Sequence, residues 1–359
     1  MLVMIIITTL LLINSDFMMN KFGKELGEFL EYKNISIKEF ADRINTTSKN
    51  LIDIIKGNIE LSQNMIYNIS FITGIPVNYI ENTEQNYKMD KVIENYLNEN
   101  HLTIKNYINR FNYKELAEKY DVKYRDSKND YAIAKDILKY LRISNPTSLT
   151  KENNVIFYKS KNDKPELLAL WLERCNRIIE DQKVEKYTKE NINKLVEFIK
   201  MEANNQSFDE NKLIMEFNKN GIFLAIQDDL KGTKVRGAFK VLNDKPAIYI
   251  TRKHKRYADI YFALLHELAH CKSDYNRAKS GSIITMLDDN ETEDYEIKAD
   301  MQALDWMVPD KIYEDIKYDF NKIEKLDVVK SFYVYRLAID NIIEFSNELY
   351  QKYNPVIDD

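Results

Sequence analysis

One apolar run organises the expectations for this chain, and it reads Phe262-Ala263-Leu264-Leu265-His266-Glu267-Leu268-Ala269-His270. Residues four apart lie on one face of an α-helix, so His266 and His270 project in the same direction. Two imidazole nitrogens at this spacing can bind one Zn²⁺ ion, while Glu267 beside them can reach a water molecule at the metal. The apolar flanks predict a helix that is buried on most sides.

Histidine is rare in this chain, with only four residues, and two of them fall in this motif. A chance match to the pattern is therefore uncommon. The alternative interpretation is a pair of hydrogen-bonded histidines in a core. Cys271 directly follows His270, but it turns about 100° away along a helix and is predicted to pack rather than to bind metal.

Two histidines leave a catalytic zinc site one protein ligand short. The candidate lies in the acidic segment 290–300, which opens a second predicted helix. Glu296 and Asp300 are four apart and share a face, so we predict that Glu296 binds the metal and that Asp300 orients a ligand histidine. The alternative metal ligands are Glu291, Glu293 and Asp294. They lie at the start of the helix, where acidic residues are also expected because they complement the helix dipole.

This residue set predicts a definite chemistry. A zinc ion held by two neutral imidazoles and one carboxylate lowers the pKa of a water molecule toward about 7. Glu267 would take the proton as the water attacks a carbonyl carbon, and would return it to the leaving amine. The expected activity is peptide-bond hydrolysis. The 24 tyrosines offer no basis for choosing an oxyanion donor.

Three short apolar runs precede the metal-binding helix, at residues 221–226, 237–241 and 247–250. The sequence Asn243-Asp244-Lys245-Pro246 separates the last two and is typical of a hairpin turn. We therefore predict a short antiparallel sheet against which the metal-binding helix packs. Residues 221–359 would form a zincin-like domain, the small α+β part of a mainly α chain.

Residues 18–86 predict a bundle of five short helices. Ser36 and Glu39 form a capping box for the second helix, and Gly57 and Gly74 end the third and fourth. The third helix begins at Ser48, and its predicted inward side chains are Leu51, Ile52 and Ile55. Two short helices across a tight turn match the helix-turn-helix arrangement. Residues 87–220 predict a helical middle region without a catalytic constellation.

The composition describes an ordinary globular chain of 359 residues, with 44% hydrophobic and 30% charged residues. A net charge of −5 gives no overall nucleic-acid signature. Two cysteines are too few for a disulfide framework, which favours the cytoplasm. The apolar run 2–13 is too short to cross a bilayer. We expect translation to start at Met18-Met19 and residues 1–17 to be an extension, with a membrane anchor as the alternative.

The C-terminal part resembles the ImmA/IrrE family of zinc metallopeptidases. The matching positions are Arg236-Gly237, Pro246-Ala247-Ile248, Leu264 to His270, Glu296, Ala299-Asp300 and Met307-Val308-Pro309. This resemblance implies a gluzincin-like site with a His-Glu-x-x-His helix and a later Glu ligand. It also implies a protein substrate with a regulatory role, such as a repressor or an antitoxin.

The N-terminal part resembles Cro/repressor-like helix-turn-helix domains, through residues 35–57, and its continuation 72–79 is similar to HigA-type antitoxins. The resemblance implies that the third helix enters the major groove of an operator and presents Thr47, Ser48, Lys49 and Asn50. Asn50 could pair with adenine, and Lys49 with guanine or a phosphate.

The charge balance of this part opposes strong DNA binding. Eight Lys and Arg residues stand against ten Asp and Glu residues between Met18 and Asp90, although phosphate contacts supply most non-specific affinity. One alternative is a bundle kept for homodimerisation or for contact with a protein. The alternative for the whole chain is a HigA-type transcriptional regulator whose metallopeptidase domain senses or binds a partner without proteolysis.

Overall fold

The computed structural model describes residues 22–120, 129–146, 164–253, 255–286, 293–318 and 320–357. The expected extension 1–17 and the acidic residues 290–292 lie outside the described residues. The chain forms two compact units, Met1–Ser148 and Leu149–Asp359. The division falls inside the expected middle region 87–220, so its first part belongs to the N-terminal unit and its second part to the unit with the sheet.

The N-terminal unit consists of helices along its described length. They are α1 (Phe22–Lys33), α2 (Ile37–Arg43), α3 (Ser48–Ile55), α4 (Gln63–Thr73), α5 (Val77–Glu99), α6 (Ile104–Asn109), α7 (Tyr113–Lys119) and α8 (Asp130–Leu141). Helix α5 runs through residue 86, where the sequence suggested a domain boundary. The first four helices and the start of α5 share one hydrophobic core.

Side-chain caps set the starts of the short helices. The Ser36 and Thr47 hydroxyl oxygens accept hydrogen bonds from backbone N–H groups three residues later, at 3.2 and 3.1 Å. Gly74 ends α4 with a φ of 72°, which favours glycine. Only half of the capping box at Ser36 is present, because the Glu39 carboxylate accepts a hydrogen bond from Arg43 instead.

The core of this bundle comes from one face of each helix. Its central members are Phe22, Leu26, Leu30, Phe40, Ala41, Leu51, Ile66, Ile69, Ile75 and Ile80. The inward position predicted for Ile52 is wrong, because its side chain is 38% exposed while Ile54 is 2% exposed. Leu51 and Ile54 are three apart and share a face, which turns Ile52 outward on this two-turn helix.

The C-terminal unit combines helices with a four-stranded sheet. In chain order these are α9 (Pro165–Glu180), α10 (Glu190–Asn204), α11 (Glu210–Lys219), β1 (Phe223–Gln227), β2 (Val235–Leu242), β3 (Lys245–Thr251), α12 (Tyr257–Ser273), α13 (Tyr275–Ala278), β4 (Ile283–Met286), α14 (Asp294–Met307), α15 (Asp310–Ile316), a 3₁₀ helix (Phe320–Lys325), α16 (Lys330–Ile339) and α17 (Glu348–Tyr353).

The strand order is β1-β3-β2-β4. β2 and β3 form the predicted hairpin, and Asn243 and Asp244 turn it with φ values of 48° and 62°. The expectation of an antiparallel three-stranded sheet is wrong in two respects. β1 pairs with β3 in parallel, and a fourth strand follows the metal-binding helix and pairs with β2. Apolar patterning specifies a strand but not the direction of its neighbour, so the sequence carried no signal for either feature.

Helices cover both faces of this sheet. α9 packs on one face through residues such as Trp171, whose ring contacts that of Tyr249 and which shares a core cluster with Ala225 and Ala238. α12 lies in the larger core on the other face, and its residues 260–271 are all buried, as predicted. The chain is thus mainly helical with a small mixed sheet. Among the described residues, none of the helices combines the length and the apolar character that a membrane crossing requires.

Candidate metal centre

Helix α12 buries both histidines of the motif and points them at each other. His266 is 1% exposed and His270 is 0% exposed, and their Nε2 atoms lie 2.9 Å apart. Helix α14 runs beside α12 and contributes the Glu296 carboxylate. Its Oε2 atom is 3.1 Å from His266 Nε2, and its Oε1 atom is 3.3 Å from His270 Nε2. The three predicted metal ligands therefore form one group that could hold a metal ion.

A carboxylate holds the far side of each imidazole ring. Asp300 Oδ1 lies 2.8 Å from His266 Nδ1, which is the contact predicted for it. Asp274 Oδ2 lies 3.0 Å from His270 Nδ1, a contact that the sequence interpretation missed. Because an ionised carboxylate only accepts hydrogen bonds, each Nδ1 donates, and in the neutral ring Nε2 then keeps its lone pair.

The central atoms of this group fit a cation. When both imidazoles are neutral and donate from Nδ1, their two lone pairs and the Glu296 carboxylate converge within 4.8 Å, so that either a cation or an imidazole proton must hold them together. Ligand atoms of a tetrahedral zinc site stand about 3.3 Å apart when each bond is about 2.0–2.1 Å. The observed separations of 2.9, 3.1 and 3.3 Å are close to that spacing.

The electrostatics of the group favour positive charge. Burial lowers the pKa of His270, but its hydrogen bonds with Asp274 and Glu296 outweigh burial and raise that pKa to about 10. Burial raises the pKa of Glu296, but the hydrogen bonds from His266 and His270 outweigh it and lower that pKa to about 2. The carboxylates therefore stabilise a positive charge at the imidazoles far better than water would.

Glu267 lies next to the group and is close enough to Glu296 for that carboxylate to raise its pKa. It is 0% exposed, and neither carboxylate oxygen has a hydrogen-bond partner of normal geometry among the described residues. Burial raises its pKa, and neighbouring groups that include the imidazoles and the Thr285 hydroxyl offset part of that rise. Gly237 on β2 makes the space, because a Cβ atom there would stand 2.3 Å from Glu267 Oε1.

A β-bulge brings strand residues to the same side. Val235 opposes Met286 and Gly237 opposes Thr285, which leaves Arg236 as the extra residue of β2. The Arg236 guanidinium stacks 5.1 Å from the Phe262 ring and lies 3.8 Å from Asp300. Thr285 Oγ1 is 3.2 Å from His266 Nε2.

Four residues of this site received no role from the sequence, namely Asp274, Thr285, Gly237 and Arg236. Asp274 follows His270 by four residues, and that spacing could have identified it. The other three depend on the register and the bulge of strands that are distant in the sequence. No local pattern announces such contacts.

A cavity of about 710 Å³ lies between the end of α12 and the start of α14, and none of the three ligand residues is part of its described wall. Asp274, which bonds His270, is part of its wall together with Arg277, Tyr295 and Lys298. The volume lies within the range of ligand sites, about 300–1,000 Å³. Its wall carries both signs of charge, so it suits a polar ligand such as a peptide.

The predicted DNA-contact residues lie in the N-terminal unit, at the start of α3. Thr47 and Lys49 are exposed, and Ser48 and Asn50 are half-buried. Two of these side chains already have local partners. Thr47 caps α3, and Asn50 Nδ2 donates a hydrogen bond to Thr46 Oγ1 at 2.8 Å.

Compared with protein-family models and with curated proteins, the chain matches none. The functional assignment therefore depends on the residues and distances described above.

Proposed function

We propose that this chain is a zinc-dependent endopeptidase of the ImmA/IrrE type, a cytoplasmic enzyme that cleaves a regulatory protein such as a repressor or an antitoxin. One observation carries the proposal. Three acceptor atoms converge at Glu296, His266 and His270, and a fully buried Glu267, which has no described hydrogen-bond partner beyond the Thr285 hydroxyl, stands beside them.

Glu267 separates a catalytic site from a structural one. A structural zinc site closes with four protein ligands and gains nothing from a further buried carboxylate. Burying a carboxylate with so little hydrogen bonding costs free energy, so its presence is best explained by a role in a reaction. A general base beside the metal is such a role, and the raised pKa suits it.

The ligand set favours zinc among the common metals. Two imidazoles and one carboxylate match the catalytic zinc sites that keep one position open, whereas Mg²⁺ and Ca²⁺ prefer oxygen ligands throughout. His266, His270 and Glu296 would hold the ion. When bound, zinc supplies a Lewis acid that polarises the scissile carbonyl and lowers the pKa of a water molecule to about 7.

The protein groups then have separate roles. The Glu267 carboxylate accepts a proton from the attacking water and returns it to the nitrogen of the leaving amine. Asp300 and Asp274 keep the Nδ1 protons of the two histidines and fix the orientation of each ring. The sheet, through Gly237 and Thr285, and α14, through Glu296, enclose the group.

A test should separate metal binding from catalysis. We expect Glu267→Gln to bind about one zinc ion per chain, as the wild type does, and to lose proteolysis. The measurement compares the proteomes of cells that express the two proteins, in search of one regulator that disappears only with the wild type. Glu197→Gln, at a side chain that is 73% exposed, serves as the matched control. Purified protein without zinc after metal reconstitution would refute the proposal.

A second candidate function comes from the N-terminal unit. The short helices α2 and α3 follow each other across a tight turn, which supports a recognition role for DNA or for a partner protein. In this alternative the chain is a HigA-type regulator whose metal site senses or binds without cleaving. Residues 18–90 of this unit carry more acidic than basic side chains. Because a monomer is therefore weakly equipped to bind phosphates, we propose that any operator binding uses a homodimer. Unchanged regulation in cells with Glu267→Gln would favour this alternative.

A further inference from the structure

Two hydrogen-bond donors beside the metal group have no acceptor among the described residues. The Arg236 guanidinium makes only the 3.8 Å ion pair with Asp300, which is too long for a hydrogen bond. The Tyr335 hydroxyl, on α16, also donates no hydrogen bond to a described residue. Tyr335 is only 5% exposed, and the Arg236 side chain is only 20% exposed.

The Phe262 ring joins these donors to the metal group. The Arg236 guanidinium lies 5.1 Å from the centre of that ring, and the Tyr335 ring lies 5.2 Å from it. The Phe262 ring is in turn 6.1 Å from the imidazole of His266. Burial raises the pKa of Tyr335, and Arg236 is close enough to offset part of that rise. Both donors thus share one wall of the site.

This wall is reached from solvent at Asp300, and it carries the positive charge of Arg236 against the negative charges of Asp300 and Asp259. Asp300, the nearest anion to Arg236, keeps 42% of its side chain exposed, so a ligand can approach from that side. Asp300 is already committed to His266 Nδ1 at 2.8 Å. The planar fork of an arginine and a phenol hydroxyl together suit the two oxygens of a carboxylate. Arg236 is the extra residue of the β-bulge in β2, and its guanidinium lies next to Phe262 and Asp300 at the site.

We propose that Arg236 and Tyr335 form a carboxylate-binding subsite beside the metal group, which selects peptides with a carboxylate close to the bond that is cleaved. The inference builds on the proposed peptidase function and adds a substrate class to it. The carboxylate belongs either to an acidic side chain or to the C-terminus of the peptide. Both sources present the same two oxygens, so they are separated by experiment.

The test uses four probes and zinc-loaded full-length protein. Malonyl monohydroxamate, a zinc-binding group, is coupled to leucine, leucine amide, aspartate amide or asparagine amide. Isothermal titration then gives the affinity of each probe. In the wild type we expect the acid of at least one pair to bind about tenfold more tightly than its neutral partner, as hydrogen bonds to a charged group allow. The leucine pair reports a terminal carboxylate, and the aspartate–asparagine pair reports a side chain.

Variants assign the preference to the two donors. Arg236→Gln should remove it, Arg236→Lys should keep part of it, and Tyr335→Phe should reduce it a few-fold. The neutral probes should bind all three variants within about twofold of the wild type, which shows that the fold and the metal survive. The control is Arg43→Gln, at an exposed arginine of α2 that should keep the preference.

The outcomes separate this inference from the proposed function. Equal binding of acids and neutral probes by the wild type would overturn the subsite, and so would a preference that persists in Arg236→Gln. The metal group itself would remain intact in either case. Failure of all four probes to bind would instead contradict the metal group, and with it both proposals.

Discussion

Helices α3 and α12 begin in opposite ways. The Asn50 N–H group, in the first turn of α3, donates a hydrogen bond to the hydroxyl of the residue that precedes the helix, Thr47, at 3.1 Å. No side chain of the residue before α12 caps it. Instead the side chain of Asn354, 96 residues later in the chain, accepts a hydrogen bond from Ala258 N–H at 2.9 Å. One helix is specified by its neighbours in the sequence, and the other by the completed fold.

The same contrast runs through their polar side chains. On α3, Asn50 Nδ2 donates a hydrogen bond to Thr46 Oγ1 four residues away, and none of the four polar side chains of this helix is fully buried. On α12, His266 meets residues of α14 and β4, and Glu267 fills a space left by a glycine of β2. Burying these groups would destabilise a helix that had only local partners. The difference indicates that the polar groups of α3 mainly stabilise their own helix, whereas α12 buries polar groups that its own stability does not require.

The largest expected effect is on metal binding. His270→Ala removes one of three ligands, so we expect zinc affinity to fall by about a thousandfold or more. Competition with a chelator of known affinity measures the change. The matched control is His101→Asn, at an exposed histidine of the N-terminal unit whose φ of 54° asparagine tolerates. If zinc affinity is unchanged in His270→Ala, the metal binds elsewhere, and the buried histidines of α12 are not its ligands.

The second effect concerns the distant cap of α12. Asn354 is 0% exposed, and it also donates a hydrogen bond to Asp259 at 2.9 Å. Asn354→Ala leaves the buried Ala258 N–H without an acceptor, so we expect a loss of about 2–3 kcal/mol in the free energy of unfolding. Urea denaturation followed by circular dichroism measures it.

Asn354→Asp provides the control for this cap. It keeps an acceptor for Ala258 N–H but sets the introduced carboxylate against the native carboxylate of Asp259, so it should also destabilise the unit. A loss below about 0.5 kcal/mol in both variants, well under the usual cost of an unsatisfied buried group, would show that α12 needs no distant cap.

Local spacing explains what the sequence could predict. Residues a few positions apart predict the shared face of His266 and His270 on one helix and that of Glu296 and Asp300 on a second helix. They also predict the hairpin at Asn243. The contact of Asp274 with His270 could have been predicted in the same way, because these residues are four positions apart. The parallel pairing of β1, the strand β4 and the bulge at Arg236 depend on strands that meet only in the folded chain, and no pattern of neighbours encodes them.

The third effect tests the carboxylate that the sequence interpretation missed. Asp274→Asn keeps a hydrogen-bond acceptor for His270 Nδ1 but removes its charge, so we expect zinc affinity to fall by about 10–100-fold. The same chelator competition measures it. Asp315→Asn, at an exposed position of α15, is the matched control. If Asp274→Asn binds zinc as tightly as the control, Asp274 only links the end of α12 and has no influence on the metal.

The smallest effect belongs to the local cap. Thr47→Ala should cost about 1 kcal/mol, since an exposed cap contributes less than a buried one, and zinc affinity should not change. Urea denaturation of Thr47→Ala, Asn354→Ala and the double variant shows whether the two losses add. We expect additivity within about 0.5 kcal/mol, because residues without shared partners act independently. A clear departure would mean that the start of α3 and the metal-binding helix are coupled. The N-terminal helices would then act on the site, as a recognition unit that controls a peptidase requires.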